Sequence, residues 1–297
     1  MSAPSFSLVL ATKGRPEVLR DTLLSAAECD PPAAEIIVVD GDEERSAEPV
    51  AEELISAGTP VRYAASRPGL TVQRNLALDL AQGDVVVFVD DDTDLDPSLF
   101  AALAEGYRDP EVVGVTGRVL DRSGRRVGNM RSRWRRFLPG GGREGSLTRF
   151  GYPRRIQDET REHDMEYMLG GLMTARREAA ARVRFDEALA GYGLAEDEDF
   201  SYRLSRVGRI RFLPQASVVH KNVGLGGKAA GARAFNRMVV VNRAYLFRKN
   251  FDRTPLARLQ FGMLIAVLVA HRALNGEWAG IRGLADGSIE AWRRQRR

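Results

Sequence analysis

The sequence predicts an α/β fold in which a mostly parallel sheet is flanked by helices. Three observations carry this. Short apolar runs alternate with stretches of helical spacing through the first third of the chain. Several of those runs, such as Val85–Val89, are continuous rather than alternating, as expected of strands covered on both faces. With 297 residues, 44% of them apolar, the chain is long enough for a full core in one large or two smaller domains.

The strand candidates are Phe6–Ala11, Glu35–Asp40, Val61–Ala64, Val85–Asp90 and Val112–Gly117. Helical spacing falls between them, over 16–28, 47–57, 71–82 and 97–107. In the third of these Val72, Leu76 and Leu80 step by four, and Gly83 stops the pattern. Residues 118–160 are rich in Arg and Gly and poor in aliphatics, and read as a long surface loop. Beyond 161 the chain condenses again. A helix begins near Ala195 with Phe200, Leu204 and Val207 on one face, and Arg209–Leu213 reads as a strand. "GLGGK" at 224–228 is a hinge-like break, and helices follow around 231–250, 255–274 and 278–293.

The single cysteine, Cys29, excludes an internal disulfide framework and a cysteine metal cluster, which fits a reducing compartment. "MSAPSFSLVLAT" has no basic n-region and reads as a first strand rather than a signal peptide. The longest apolar run, Phe261–Ala270, is about half of the ~20 residues that a spanning helix needs, so no transmembrane segment is expected. Net charge is +4, with positive charge concentrated between Arg118 and Arg155 and in the tail. That allows phosphates, nucleic acid or a membrane surface as partners. Four lysines against forty arginines make the bias look compositional. Trp134 and Phe137 are the main aromatics in the basic stretch, and no recognition motif accompanies them. No nucleic-acid partner is therefore expected, although the 118–155 segment keeps that alternative in view. A nicotinamide enzyme is disfavoured because "ATKGRP", not GxGxxG, follows the first strand.

Two acidic clusters carry the chemistry. The first is "VFVDDDTDLDP", where a buried strand ends in Asp90, Asp91 and Asp92. Carboxylates gathered at one point repel one another unless a cation sits among them, and oxygen ligands suit Mg²⁺ or Mn²⁺. Alternation along an extended backbone turns Asp90 and Asp92 to one side and Asp91 to the other. Asp94 and Asp96 read as turn residues, with Asp96 capping the helix that starts near Pro97. The second cluster is Glu196-Asp197-Glu198-Asp199. Acids in a first helical turn gain ~0.3–1 kcal/mol each from the dipole, which accounts poorly for four in succession after "AGYGLA".

These stretches, taken in order, resemble a family 2 glycosyltransferase with the nucleotide-sugar-binding GT-A fold over most of residues 5–222. The matching segments are "SLVLATKGRPEVLRDTLLSA", "EIIVVDGDEERS", "GLTVQRNLALDLAQGDVVVFVDDDT", "MLGGLMTARREA", "VRFDEALAGYGLAEDEDFSYRLSRVG" and "FLPQASVVH". The resemblance implies an inverting, metal-dependent transfer of a sugar from a nucleotide-diphosphate donor to an acceptor hydroxyl, in cell-envelope polysaccharide or glycolipid synthesis. It implies Asp197 as general base, a role worth roughly 10²–10⁴-fold, with Glu196 beside it. The donor side would comprise Thr12, Arg15, Asp40, Arg74, Asp90 and Asp91, with Asp40 toward the base. Gly41 follows Asp40 where the family usually has a second acid. A divalent cation, Mn²⁺ or Mg²⁺, would sit on Asp90, Asp92 and His220, and Gly170 and Gly171 would face the acceptor. Asn75 is expected to brace the loop before the DxD strand, and Arg176 and Arg177 to be surface or helix-start residues.

In this reading residues 1–225 form the catalytic domain, with a donor half at about 1–117, the loop at 118–160 and an acceptor half at 161–225. Residues 226–297 form a helical segment. A retaining transferase or a sugar-nucleotide synthase on a related fold is the remaining alternative. The C-terminal helices leave open peripheral contact with an anionic membrane from the cytoplasmic side, packing on the catalytic domain, or a homodimer contact. The acceptor would be a saccharide or lipid-linked.

Overall fold

The computed structural model describes residues 3–125, 143–154, 156, 159–189, 191–221 and 231–294. The chain divides into two compact units, Met1–Val127 with Ile156–Val223, and Gly128–Arg155 with Gly224–Arg297. Much of the Arg/Gly-rich loop, the 224–228 break and the last three residues lie outside the described residues.

The first unit begins with the βα alternation that the apolar runs dictate. Strands β1 (Phe6–Thr12), β2 (Glu35–Asp40), β3 (Val61–Ala65) and β4 (Val85–Asp90) are separated by α1 (Pro16–Ala27), α2 (Glu48–Ser56) and α3 (Leu70–Leu80). The four strands pair in parallel in the order β3-β2-β1-β4. Past β4 the sheet becomes mixed. It continues with β8 (Met173–Arg176), β6 (Val112–Leu120), β9 (Arg209–His220) and β5 (Thr93–Leu95), and β7 (His163–Met165) pairs with β9. β8 runs antiparallel to both β4 and β6, while β6 and β9 are parallel. A parallel strand needs a crossover, and β8 is reached by a long excursion rather than a βαβ unit, so nothing forces it parallel.

Helices α4 (Leu99–Gly106), α5 (Arg177–Val183) and α6 (Glu196–Ser205) complete this unit. One face of the sheet buries Leu8, Leu10, Val38, Val87 and Val89 against Leu19, Leu23, Phe100 and Leu103. Arg209–Leu213 is the first half of a longer strand, because it continues through Ala216–Val219. Val207 lies past the end of α6 and is 47% exposed, so only Phe200 and Leu204 form the expected apolar face.

Helix α3 departs from its predicted face. Its buried residues are Thr71, Gln73, Arg74, Asn75, Ala77 and Leu78, whereas Val72, Leu76 and Leu80 are half-buried. Polar residues go inward because partners wait there. Gln73 Nε2 donates to the carbonyls of Thr12 and Val39, both at 2.8 Å. Asn75 donates to the Phe185 carbonyl and accepts from the Phe185 amide at 2.9 Å. Asn75 thus braces the segment after α5, not the loop before β4.

The second unit contains α7 (Gly231–Asn250), α8 (Pro255–Leu274) and α9 (Trp278–Arg293), at the three positions where helical spacing places them. Thr254 caps α8 by accepting from the Ala257 amide at 3.2 Å. Phe150, Phe247, Ala257 and Leu264 form a small apolar cluster, joined by Tyr152, Phe251, Phe261 and Leu268.

Candidate active site

β4 is apolar and buried from Val85 to Val89 and parallel to β1 in register, so Asp90 is held rigidly at the carboxyl edge of the sheet. Ligands of open α/β sheets collect at this edge. The chain then turns through Asp91 and Asp92 into β5, and the turn is pinned from two sides. Thr22 of α1 donates to the Asp91 carbonyl at 2.7 Å and accepts from the Thr93 amide at 3.2 Å. The Lys221 amide donates to the Asp92 carbonyl at 2.8 Å.

Antiparallel pairing of β5 with β9 sets Thr93 opposite His220 and so delivers the imidazole to the turn. His220 Nε2 lies 3.3 Å from Asp90 Oδ2 and 3.4 Å from Asp92 Oδ1. Asp90, Asp92 and His220 each offer one ligand atom, all within 4.8 Å of one another. Two carboxylate oxygens and one imidazole nitrogen fit a divalent cation, so these residues could hold one. Burial opposes the charged form of Asp90, but the hydrogen bond from His220 and the charges of Arg74 and Arg15 outweigh it and hold the carboxyl below its usual range.

Asp91 faces the other way, as alternation requires. Its carboxylate accepts from Thr12 Oγ1 at 2.6 Å and pairs with Arg15. Burial pushes its carboxyl up to about 6 against the pull of Arg15 and Thr12. Arg15 is partly exposed, and its second nitrogen comes within 4.0 Å of Asp92. Asp94 pairs with Lys221 at 2.7 Å, and Asp96 accepts from the Ser98 amide at 2.9 Å just before α4. Asp96 is the turn residue that its spacing predicts, although α4 begins at Leu99 with Ser98 at its cap, whereas Asp94 lies within β5, opposite Val219.

Asp40 is fully buried at the end of β2. It accepts from the amides of Asp42 and Ala47 at 2.8 and 3.0 Å and from the Tyr63 hydroxyl at 3.3 Å. In this structure the carboxylate does the work of a turn cap. A Cβ at position 41 would stand only 2.9 Å from the side-chain amide of Gln73, which accounts for glycine where a second acid is expected.

Arg74 is the most enclosed cation of the site, 2% exposed. It pairs with Glu196, and its Nη2 lies 3.5 Å from Asp90. Its guanidinium sits 5.3 Å from the Phe185 ring and 6.0 Å from that of Phe88. One side chain therefore links the Asp90 carboxylate to the first turn of α6.

That turn starts abruptly. Ala195 has φ 71°, a left-handed conformation uncommon outside glycine, and Glu196 and Asp197 follow it directly. Asp197 Oδ2 accepts from the Gly170 amide at 3.2 Å, so Gly170 and the acid cluster are neighbours. Gly171 packs against Val119, with His220 next beyond. Burial and the neighbouring charges of Glu196 and Glu198 push the Asp197 carboxyl well up. Asp199 is fully buried and tied to Arg203 at 2.6 Å, so it serves the helix.

The structure brings Thr12, Arg15, Arg74, Asp90, Asp91, Asp92 and His220 together around the β4 turn, and joins Glu196, Asp197 and Gly170 at α6. Sequence reasoning missed Gln73 and Lys221. The run Gln73-Arg74-Asn75 inside a helix was the available signal for the first. Arg176 and Arg177 stand where expected, at the cap and first residue of α5.

A model of glycosyl transferase family 2 matches residues 7–184, which is more than half of the chain and ends before α6. Among curated proteins, none matches the sequence. Among solved structures, a mannosyltransferase from Pyrobaculum calidifontis in complex with GDP-Man and Mn2+ is similar at TM-score 0.62 and 15% identity, over 98% of this chain and 88% of that one. S. aureus TarS 1-349 in complex with UDP-GlcNAc is similar at 0.59 and 20% identity, over 97% and 81%. GalNAc-T7 with UDP, GalNAc and Mn2+ is similar at 0.59 and 18%, over 90% of this chain and 55% of that one. At such identities the structural likeness speaks for the fold. The family match from β1 through α5 goes further: this chain belongs to glycosyl transferase family 2 and is a glycosyltransferase.

Proposed function

We propose that the protein moves a sugar from a nucleotide-diphosphate donor to an acceptor hydroxyl, with inversion and with a divalent cation on Asp90, Asp92 and His220. The observation that carries this reading is the Asp90–Asp92–His220 cluster at the carboxyl edge of the sheet, linked through Arg74 to the acidic start of α6. Similar folds solved with GDP-Man, UDP or UDP-GlcNAc, two of them with Mn2+, support the donor class and the cation. The imidazole ligand favours Mn²⁺ over Mg²⁺, which prefers an all-oxygen shell.

In this mechanism Asp90, Asp92 and His220 would hold the cation at the diphosphate end of the donor, which the carboxylates alone would repel. With a cation held there, the charge that develops on the departing diphosphate is offset. Asp197 accepts the proton of the acceptor hydroxyl as that oxygen attacks the anomeric carbon. The Gly170 amide holds Asp197 Oδ2 in place, and an amide without a side chain leaves room for the acceptor beside it. Glu196 is committed to Arg74, so Asp197 is the freer of the two carboxylates. Thr12 and Arg15 support the reaction through Asp91, by fixing the turn that aims its neighbours. An envelope saccharide or glycolipid acceptor is supported by the exposed apolar helix α8 alone.

The test is a thermal-shift series of nucleoside diphosphates with and without Mn²⁺. Stabilisation by one nucleotide only when metal is present is expected, because a ligand that binds the native state alone stabilises it. No response to any nucleotide with metal would overturn the reading. Inversion is checked by the anomeric configuration of the first product, read by NMR.

A further inference from the structure

Among the described residues, one side of helix α8 is exposed. The helix spans Pro255–Leu274, yet only Ala257 and Leu264 are buried. Its inner side packs Ala257, Phe261, Leu264 and Leu268 into the aromatic cluster of the second unit. On the opposite side Leu256, Leu259, Met263, Ala266, Ala270 and Leu274 recur at steps of three and four, all exposed. Leu259 is 62% exposed, Leu274 72%, and Trp278 at the start of α9 67%. Among the described residues this is the one helix long and apolar enough to cross a membrane by length and composition. A continuous exposed apolar face on such a scale marks an interaction site.

Charge separates the occupants. From Arg253 to Gly276 there is no Asp or Glu, while Lys249, Arg253 and Arg258 are exposed at the N-terminal end. A helix seam made for a second copy carries charged residues along its flanks. Here the flanking positions are Gln260, Gly262, Val267 and His271. Apolar side chains bordered by cations and an exposed Trp match a lipid headgroup boundary instead. The inner face is already committed to the protein, so the helix lies along that boundary and does not cross it.

We infer that the outer face of α8, Leu256 to Leu274 with Trp278, docks in the plane of an anionic phospholipid bilayer. The docking is independent of the transfer reaction and is tested without it.

Full-length protein is co-sedimented with vesicles of phosphatidylglycerol and phosphatidylcholine in equal parts, and with phosphatidylcholine alone. Binding to the anionic vesicles that weakens in high salt is expected, with a blue shift of Trp emission and its quenching by brominated lipid. Leu259→Glu should lower partitioning by about tenfold or more, since it removes an apolar side chain and adds a like charge. Both this position and Arg258 are exposed, and circular dichroism and Tm check that the variants fold. Arg258→Glu gives the same test by charge alone, should Leu259→Glu misfold. No sedimentation with anionic vesicles, or binding unchanged in both variants, overturns the inference. A dimer in buffer that Leu259→Glu converts to monomer gives the face to a second copy instead. Retention after an alkaline carbonate wash overturns the in-plane placement.

Discussion

Arg74 and Glu196 form an ion pair with almost no access to water, their side chains 2% and 8% exposed, across 122 residues of sequence. A buried pair gives little net stability as a pair, but removing one partner strands the other charge. Arg74→Met should therefore cost about 3–5 kcal/mol, read as a lower urea midpoint. Arg74→Met with Glu196→Met should cost less than the two single changes summed, because the charge is no longer stranded. Strict additivity in that cycle would show that the pair is not coupled. Arg74→Lys keeps a charge but loses the fork that reaches both Glu196 and Asp90, so turnover should drop even where folding is retained.

The alternation of Asp90, Asp91 and Asp92 makes a second, internal contrast. Asp92→Asn and His220→Ala each remove a ligand and should weaken Mn²⁺ binding by more than the ~10–100-fold that outer partners cost. Asp91→Asn removes a carboxylate that faces Thr12 and Arg15, so it should leave Mn²⁺ affinity within that smaller range. Calorimetric titration with Mn²⁺ measures all three. Equal losses at 91 and 92 would contradict the orientation seen at the turn.

Asp197 predicts opposite pH trends for rate and stability. Burial and the charges of Glu196 and Glu198 raise its carboxyl well above the ordinary aspartate value of about 3.9. A base must be ionised, so kcat/KM should fall as pH drops through that raised value, giving an acid limb displaced upward. For stability the sign is reversed. Between the ordinary and the raised value the folded state binds more protons than the unfolded one, so stability falls as pH rises across that window. Asp197→Asn should abolish transfer, keep nucleotide binding and flatten this stability loss. Stability that rises with pH equally in both proteins would remove the argument.

How far the molecule could be read in advance depended on which signal each element carried. β1, β2 and β4 were legible because continuous apolar runs have few other uses. The α7–α9 positions were legible from helical spacing. Asp90 and Asp92 stood out because three acids at a strand end violate simple electrostatics. On α3 the apolar spacing points to the wrong side, because Gln73, Arg74 and Asn75 supply much of the buried face. A polar residue goes inward only when its partners are already in place, and those partners lie on β1, β2 and after α5. At Asp40 the sequence alone does not separate a donor-side carboxylate from a turn cap. Its partners, the Asp42 and Ala47 amides and the Tyr63 hydroxyl, are created by the fold. The short strands β5, β7 and β8 have too few residues for a period to show.

Within the second unit, α7 and α9 approach closely enough to exclude side chains. A Cβ built on Gly283 would stand 2.2 Å from the Arg233 carbonyl, and one on Gly287 2.6 Å from that of Arg237. Backbone atoms cannot turn aside as a flexible side chain does, so the helices must separate. Separation would also pull apart Arg233–Asp286 and Arg237–Glu290, each at 2.6 Å. Ala has the better helix propensity by about 1 kcal/mol, so in an isolated helix Gly283→Ala would stabilise. Here overpacking, typically about 1–3 kcal/mol, wins and the substitution should lower the Tm. Gly262 on α8 has open space around it, so Gly262→Ala meets no such contact and should be neutral or stabilising. A Tm that rises by the same amount in both variants would mean that α7 and α9 are not in contact at Gly283.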